Sequence, residues 1–334
     1  MGNYLLLLDE AISEGIIDRQ FQESIFSLHD HFQTSMAHHS EKETSEELFN
    51  TLIFLILKNI RNPYPFSIFH ESIRQPFDYY QFGLDFIRLF VDENHSSLQG
   101  VDAIRSIEEL LQKKENVILF ANHQIEADPQ ILSILLKNIS SHLATQMIFI
   151  AGHRVITDPM AIPLSLGRNL LCIYSKRHIS SPPEEKGSKI LHNQKTLQKM
   201  KELLDEGGKC IFVAPSGGRD RPNEMGVITV SPFDSQSIEL FYLLGKQAKY
   251  STHFYPLALH TYPLMPPPKE VEQQIGEKRI LRISPVHACF GNEIEMEHIG
   301  GQELSDKKTK REERAKAITH LVQELYASLS HKTI

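Results

Sequence analysis

The sequence predicts an α/β protein: a helical bundle over residues 1–61, then a larger α/β domain over 62–334 with a mixed, largely parallel sheet. Three observations carry this. Ile16, Ile17, Phe21, Ile25 and Leu28 recur at helical intervals near the amino terminus. Asn62-Pro63-Tyr64-Pro65 then breaks the pattern, because proline ends a helix and biases the residue before it to extended backbone. Beyond the break, short β-prone runs alternate with helical stretches, the signature of helices layered on a sheet.

Taken in order, the polar stretch from Ser40 to Glu47 separates the first helical stripe from a second over Leu48–Ile60. The predicted strands are Val117–Ala121, Met147–Ala151, Leu170–Tyr174, Cys210–Ala214, Phe254–Leu259 and Ile280–Pro285. Pro129–Leu136 and Lys189–Leu204 read as helices between them. Pro266-Pro267-Pro268 marks an exposed loop, and Lys307–Lys316 opens a final helix ending near Leu329.

Composition narrows the function classes. A chain of 334 residues with 41% hydrophobic and 23% charged residues buries an ordinary globular core. The formal net charge of −7 argues against bulk attraction to nucleic acid or anionic lipid and leaves at most peripheral membrane contact. A local basic pocket stays open. The three cysteines, Cys172, Cys210 and Cys289, have no metal-ligand spacing and fit a reducing compartment. No metal or cofactor is expected. The start reads as neither a signal peptide nor a myristoylation site, since Leu6 stands where Ser or Thr is wanted. The longest apolar run, Leu52–Leu57, is far short of the roughly 20 residues that span a bilayer. The expected location is cytoplasmic, and a mature organellar protein with its targeting segment removed reads the same.

Two constellations carry chemistry. Asn122-His123-Gln124-Ile125-Glu126-Ala127-Asp128-Pro129 follows the Val117–Ala121 strand directly, so His123 falls at a strand end, where α/β folds place their ligand crevice. A turn there can bring the Asp128 carboxylate to the His123 ring. Such a pair is a general-base device: neutral imidazole takes a proton, and the carboxylate fixes the tautomer and balances the imidazolium. Positioned bases contribute about 10²–10⁴-fold in rate. The same spacing is also satisfied by Asp128 as a helix cap with proline in the first turn, and Glu126 reads as a solvated turn residue.

The second constellation is cationic. Lys176, Arg177 and His178 follow the Leu170–Tyr174 strand. Arg219 and Arg221 follow Ala214-Pro215-Ser216-Gly217-Gly218 at another strand end. Parallel strands put both clusters on the edge that carries His123. Two arginines after a Gly-Gly turn suit phosphate, which guanidinium binds bidentately and glycine lets the backbone approach. Pairing of the arginines with Asp220 or Glu224 on a surface loop fits the same residues. Ser216 reads as a turn residue, because a nucleophile elbow wants glycine where Ala214 stands.

Together these blocks resemble the soluble, plastid-type glycerol-3-phosphate 1-O-acyltransferases. The resemblance rests on His70-Glu-Ser-Ile-Arg-Gln-Pro-Phe-Asp-Tyr-Tyr80 with Phe82-Gly83, on residues 122–129, on Gly167–His178 and on Ala214–Pro222. Phe254–Leu259, Met265–Pro268 and Ile275–Arg279 follow in the same order, so it covers about residues 64–285. It implies an N-terminal helical bundle on a larger α/β domain. It also implies acylation of the sn-1 hydroxyl of glycerol 3-phosphate from acyl-acyl carrier protein or acyl-CoA. His123 and Asp128 fall on the family's catalytic pair, and Arg177, His178, Arg219 and Arg221 on its phosphate-binding positions. Lys176 belongs to the same cationic cluster, and backbone N–H groups near Ser216, Gly217 and Gly218 are candidate oxyanion donors. Ile125 stands where the family commonly has threonine, and Arg177 where it commonly has lysine. The rival readings are a lysophosphatidate acyltransferase and a non-catalytic lipid or acyl-carrier binding protein.

Overall fold

The structure is a computed structural model that describes residues 3–37, 42–268, 278–301 and 305–330. Three helices open the chain: α1 (Asn3–Ser13), α2 (Arg19–Met36) and α3 (Lys42–Arg61). Asp18 caps α2 by accepting the Phe21 N–H at 2.8 Å. One face of α2 buries Ile25, Leu28, Phe32 and Met36, each worth roughly 1.5–3 kcal/mol when fully removed from water. α3 begins at Lys42, inside the stretch expected to be a polar spacer. The core of these helices is continuous with Phe86, Phe90, Ile125 and Ile131 from later in the chain.

The rest follows as β1 (Phe69–His70), α4 (Tyr79–Arg88), β2 (Ser97–Gln99), α5 (Val101–Gln112), β3 (Asn116–Ala121), α6 (Asp128–Leu136), α7 (Ser141–Gln146) and β4 (Ile148–Gly152). Then come α8 (Ile162–Ser165), β5 (Asn169–Ile173), α9 (Lys176–Ile179), α10 (Lys186–Glu206), β6 (Cys210–Val213), α11 (Ser235–Lys246), β7 (Thr252–His260), β8 (His287–Phe290) and α12 (Lys307–Ser330).

Eight strands form one sheet in the order β1-β5-β4-β6-β3-β7-β8-β2. The central five, β5 to β7, are mutually parallel. β1 joins β5, and β8 joins β7, antiparallel. The α/β class and the mixed, largely parallel sheet expected from the sequence are therefore what the chain forms. Every residue of β3 is buried, as a central strand covered on both faces requires. Val117, Leu119 and Ala121 share one hydrophobic cluster with α5, α6 and α7 residues. Ile118 and Phe120 face the opposite cluster with α10, α11 and α12.

Five of the six expected strands form within one or two residues of their predicted ends. Ile280–Pro285 does not: it contributes only a single bridge, Ser284 to Val91, and the strand is His287–Phe290. Pro285 donates no N–H to a ladder, so pairing with β7 starts only beyond it.

Gly167, from the Gly167–His178 block, serves packing. A Cβ there would lie 2.5 Å from the Tyr79 carbonyl oxygen at the start of α4.

Candidate active site

The carboxyl ends of β3, β4, β5, β6 and β7 share one edge because these strands are parallel. The turn after β3 carries His123, that after β6 carries residues 215–221, that after β5 leads into α9, and β7 runs out at Thr261.

His123 Nδ1 and Asp128 Oδ2 lie 2.7 Å apart. Asp128 is not the helix cap. Ala127 holds the cap position, Asp128 is the first helical residue, and its carboxylate turns back toward the preceding turn. There Oδ2 also accepts the Gln124 N–H at 2.8 Å and the Ile125 N–H at 3.2 Å. Oδ1 accepts the Thr261 hydroxyl at 2.6 Å. Both oxygens are thus fixed by donors, and the side chain is 1% exposed. A carboxylate with four donors around it accepts only, so the His123 proton sits on Nδ1 and Nε2 keeps a lone pair. The ring is 30% exposed, open to the edge.

Neighbouring side chains lock this turn. The Asn122 amide continues the ladder onto β7, donating to Leu259 O at 2.9 Å and accepting the Leu259 N–H at 2.7 Å. Gln124 Oε1 accepts the N–H groups of Thr261 at 2.7 Å and Tyr262 at 3.0 Å. Both side chains are fully buried. Sequence reasoning missed Thr261 and the roles of Asn122 and Gln124. Alternation about His123 marks 122 and 124 as inward-facing, but nothing local marks Thr261, 133 residues from its partner.

Glu126 is not solvated. It pairs bidentately with Arg279 at 2.7 and 3.0 Å, and Arg279 reaches Asp158 at 3.2 Å. Burial by itself raises the Glu126 carboxyl. The charge and hydrogen bonds of Arg279 outweigh that, with Arg219 and Arg154 adding, and hold it below the usual carboxylate range.

Asp220 is fully buried between half-buried Arg219 and Arg221. Its carboxylate accepts from Asn122 Nδ2 at 2.9 Å and from the Ser231 N–H at 2.9 Å, inside the fold and not on a surface loop. Arg221 donates to the Pro268 carbonyl oxygen. The Ser216 hydroxyl donates to Gly218 O at 3.0 Å, the bond of a turn residue. Gly217 has φ +70°, in the left-handed region that favours glycine, and its N–H donates to Ala214 O at 3.1 Å. The Gly217 amide is therefore engaged inside the turn instead of aimed outward as an oxyanion donor.

His178 is exposed on α9 at the same edge. β5 lies two strands from β6 and three from β3, a span of ~14 Å to the His123 strand at ordinary strand spacing. The side chains of Lys176 and Arg177 lie outside what the structure describes. The cysteines are remote from thiolate chemistry: burial pushes Cys172 and Cys210 up to about 12 and raises Cys289. Among the described residues no His, Cys, Asp or Glu group of three or more converges as metal ligands would, and no helix is long and apolar enough to cross a membrane.

Residues 103–260 match the Acyltransferase family model, a span from α5 to the end of β7 that holds the His123–Asp128 pair and the 214–222 turn. That match spans a little under half of the chain. The chain's relatives include chloroplastic glycerol-3-phosphate acyltransferases of plants. That of Cucurbita moschata is 40% identical over 264 residues, 79% of this chain and 57% of the relative. That of Spinacia oleracea is 42% identical over 246 residues, 73% of this chain and 52% of the relative. The chain thus spans little more than half the length of these curated relatives. A solved 1-acyl-sn-glycerophosphate acyltransferase from Thermotoga maritima aligns with 98% of this chain and 95% of its own at a TM-score of 0.41 and 14% identity.

Proposed function

We propose that this protein transfers a fatty acyl group from a thioester donor, acyl-acyl carrier protein or acyl-CoA, to the sn-1 hydroxyl of glycerol 3-phosphate. The product is lysophosphatidate. The observation that carries the reading is the buried, four-donor Asp128 carboxylate 2.7 Å from a half-buried His123. The names of the plant relatives supply the acceptor.

In this mechanism the phosphate lies against Arg219 and Arg221, and Lys176, Arg177 and His178 are its further candidate partners. Anchoring it fixes one hydroxyl beside His123 and removes much of the entropic cost of encounter. His123 Nε2 accepts the hydroxyl proton as the oxygen attacks the thioester carbonyl. Asp128 balances the imidazolium. The tetrahedral oxyanion collapses, the carbon–sulfur bond breaks, and the departing sulfur takes the proton from Nε2. An ester and a free thiol result. The chain's own side chains supply every proton transfer, so no cofactor enters the scheme. The proposed compartment is cytoplasmic or stromal.

The test is an assay of purified protein with radiolabelled glycerol 3-phosphate and both donors in parallel, wild type against His123→Ala. Labelled lysophosphatidate from wild type, with turnover cut at least ~10²-fold in the variant, is expected. Near-normal turnover by the variant removes the general base. No product with either donor turns the reading toward lysophosphatidate as acceptor or toward a non-catalytic binding role.

A further inference from the structure

The residue between the two arginines holds the base as well as the arginines. The Asp220 backbone N–H donates to the His123 carbonyl oxygen at 2.6 Å. Its carboxylate Oδ2 takes hydrogen bonds from Asn122 Nδ2 at 2.9 Å and Gln124 Nε2 at 3.4 Å, and Oδ1 takes one from the Ser231 N–H at 2.9 Å. A single fully buried residue therefore grips all three members of the Asn122-His123-Gln124 turn. Its covalent neighbours on both sides are Arg219 and Arg221. Burial raises the Asp220 carboxyl, so the site tolerates an unfavourable group to keep these bonds.

We propose that Asp220 is a positioning residue that sets the distance from the phosphate-binding arginines to His123, and so selects which hydroxyl of glycerol 3-phosphate is acylated. The inference rests on the reaction proposed above. The two hydroxyls differ by one carbon in their distance from the phosphate. A displacement of ~1 Å between reacting groups can cost ~10²-fold in rate, so a rigid reference between anchor and base discriminates adjacent hydroxyls, and a loosened one does not.

Asp220→Asn tests this with an almost isosteric side chain. Asparagine presents one oxygen. If that oxygen faces Asn122, the amide NH₂ meets the Ser231 N–H donor; if it faces Ser231, the NH₂ meets Asn122. Either way a bond is lost while the Asp220 N–H to His123 O contact remains. Wild type and variant are compared for thermal midpoint, for KM and kcat with each substrate, and for the ratio of 1-acyl to 2-acyl product, quenched in acid to stop acyl migration. The expected result is a folded variant whose 1-acyl to 2-acyl ratio falls ~10-fold or more. Its KM for glycerol 3-phosphate rises and its KM for the acyl donor is unchanged. An unchanged ratio with a uniformly lowered kcat assigns Asp220 to structure alone and overturns the proposal. So does failure of both Asp220→Asn and the smaller Asp220→Ser to accumulate as folded protein. A wild type that makes no lysophosphatidate counts against the reaction itself, a result distinct from an active wild type with an indifferent variant.

Discussion

Asp128→Asn separates the charge of the dyad from its architecture. Asp128 Oδ2 faces three donors: His123 Nδ1–H, the Gln124 N–H and the Ile125 N–H. Oδ1 faces only the Thr261 hydroxyl, 2.6 Å away. An asparagine can put its carbonyl at the three-donor position and its NH₂ toward Thr261, whose hydroxyl rotates from donor to acceptor. All four contacts survive and only the negative charge goes. With charge centres ~4 Å apart and an effective dielectric of ~20, the imidazolium formed in the reaction loses ~4 kcal/mol of attraction. The retained neutral hydrogen bond offsets ~1 kcal/mol. The remaining ~3 kcal/mol corresponds to a ~10²-fold fall in kcat. Asp128→Ala is the contrast. It strands two backbone N–H groups and a hydroxyl in a buried site, at ~1–3 kcal/mol each. It should lower the thermal midpoint by several degrees as well as abolish turnover. The assay is steady-state kcat with saturating donor and acceptor, alongside thermal unfolding followed by circular dichroism. A kcat for Asp128→Asn within about five-fold of wild type, with an unchanged midpoint, would refute the charge argument.

Arg219→Ala and Arg221→Ala should each raise the KM for glycerol 3-phosphate by roughly 10–100-fold, the worth of one charge-assisted phosphate contact, with a smaller change in kcat; unchanged KM in both would sink the phosphate assignment. His153, stacked 4.2 Å from Tyr174 with His192 edge-on, is lowered from 6.5 to about 4 by burial, with the nearby positive charges of His192 and Lys189 adding. Its unfolded form therefore binds a proton more readily than its folded form, so it contributes stability above pH 6.5 that is lost as pH falls toward 4. His153→Phe, which keeps the stacking, should shrink the loss of urea-unfolding free energy between pH 7 and 4.5 by about 2–3 kcal/mol relative to wild type; an equal pH dependence in both proteins would refute it.

What the sequence by itself determined is what local pattern and spacing encode. The all-apolar β3 run had to be a central strand, and Asn62–Pro65 had to end a helix. The turn between His123 and Asp128 is short enough that the contact is nearly local, which is why the dyad was legible. Strand ends followed by cations were legible too, because parallel strands leave their carboxyl ends on one edge. The misreadings came where a residue's partner lies far along the chain. Glu126 looked solvated because Arg279, 153 residues on, is invisible to a local pattern. The pairing of Asp220 with its neighbouring arginines on a surface loop stayed open in the sequence, because its partners Asn122 and Gln124 lie 98 and 96 residues away. Only the tertiary structure brought Thr261 to Asp128, and Asp220 to Asn122 and His123. Those contacts depend on β3 lying between β6 and β7. That order is set by which faces the helices bury, summed over the whole sheet, and no short stretch of sequence carries it.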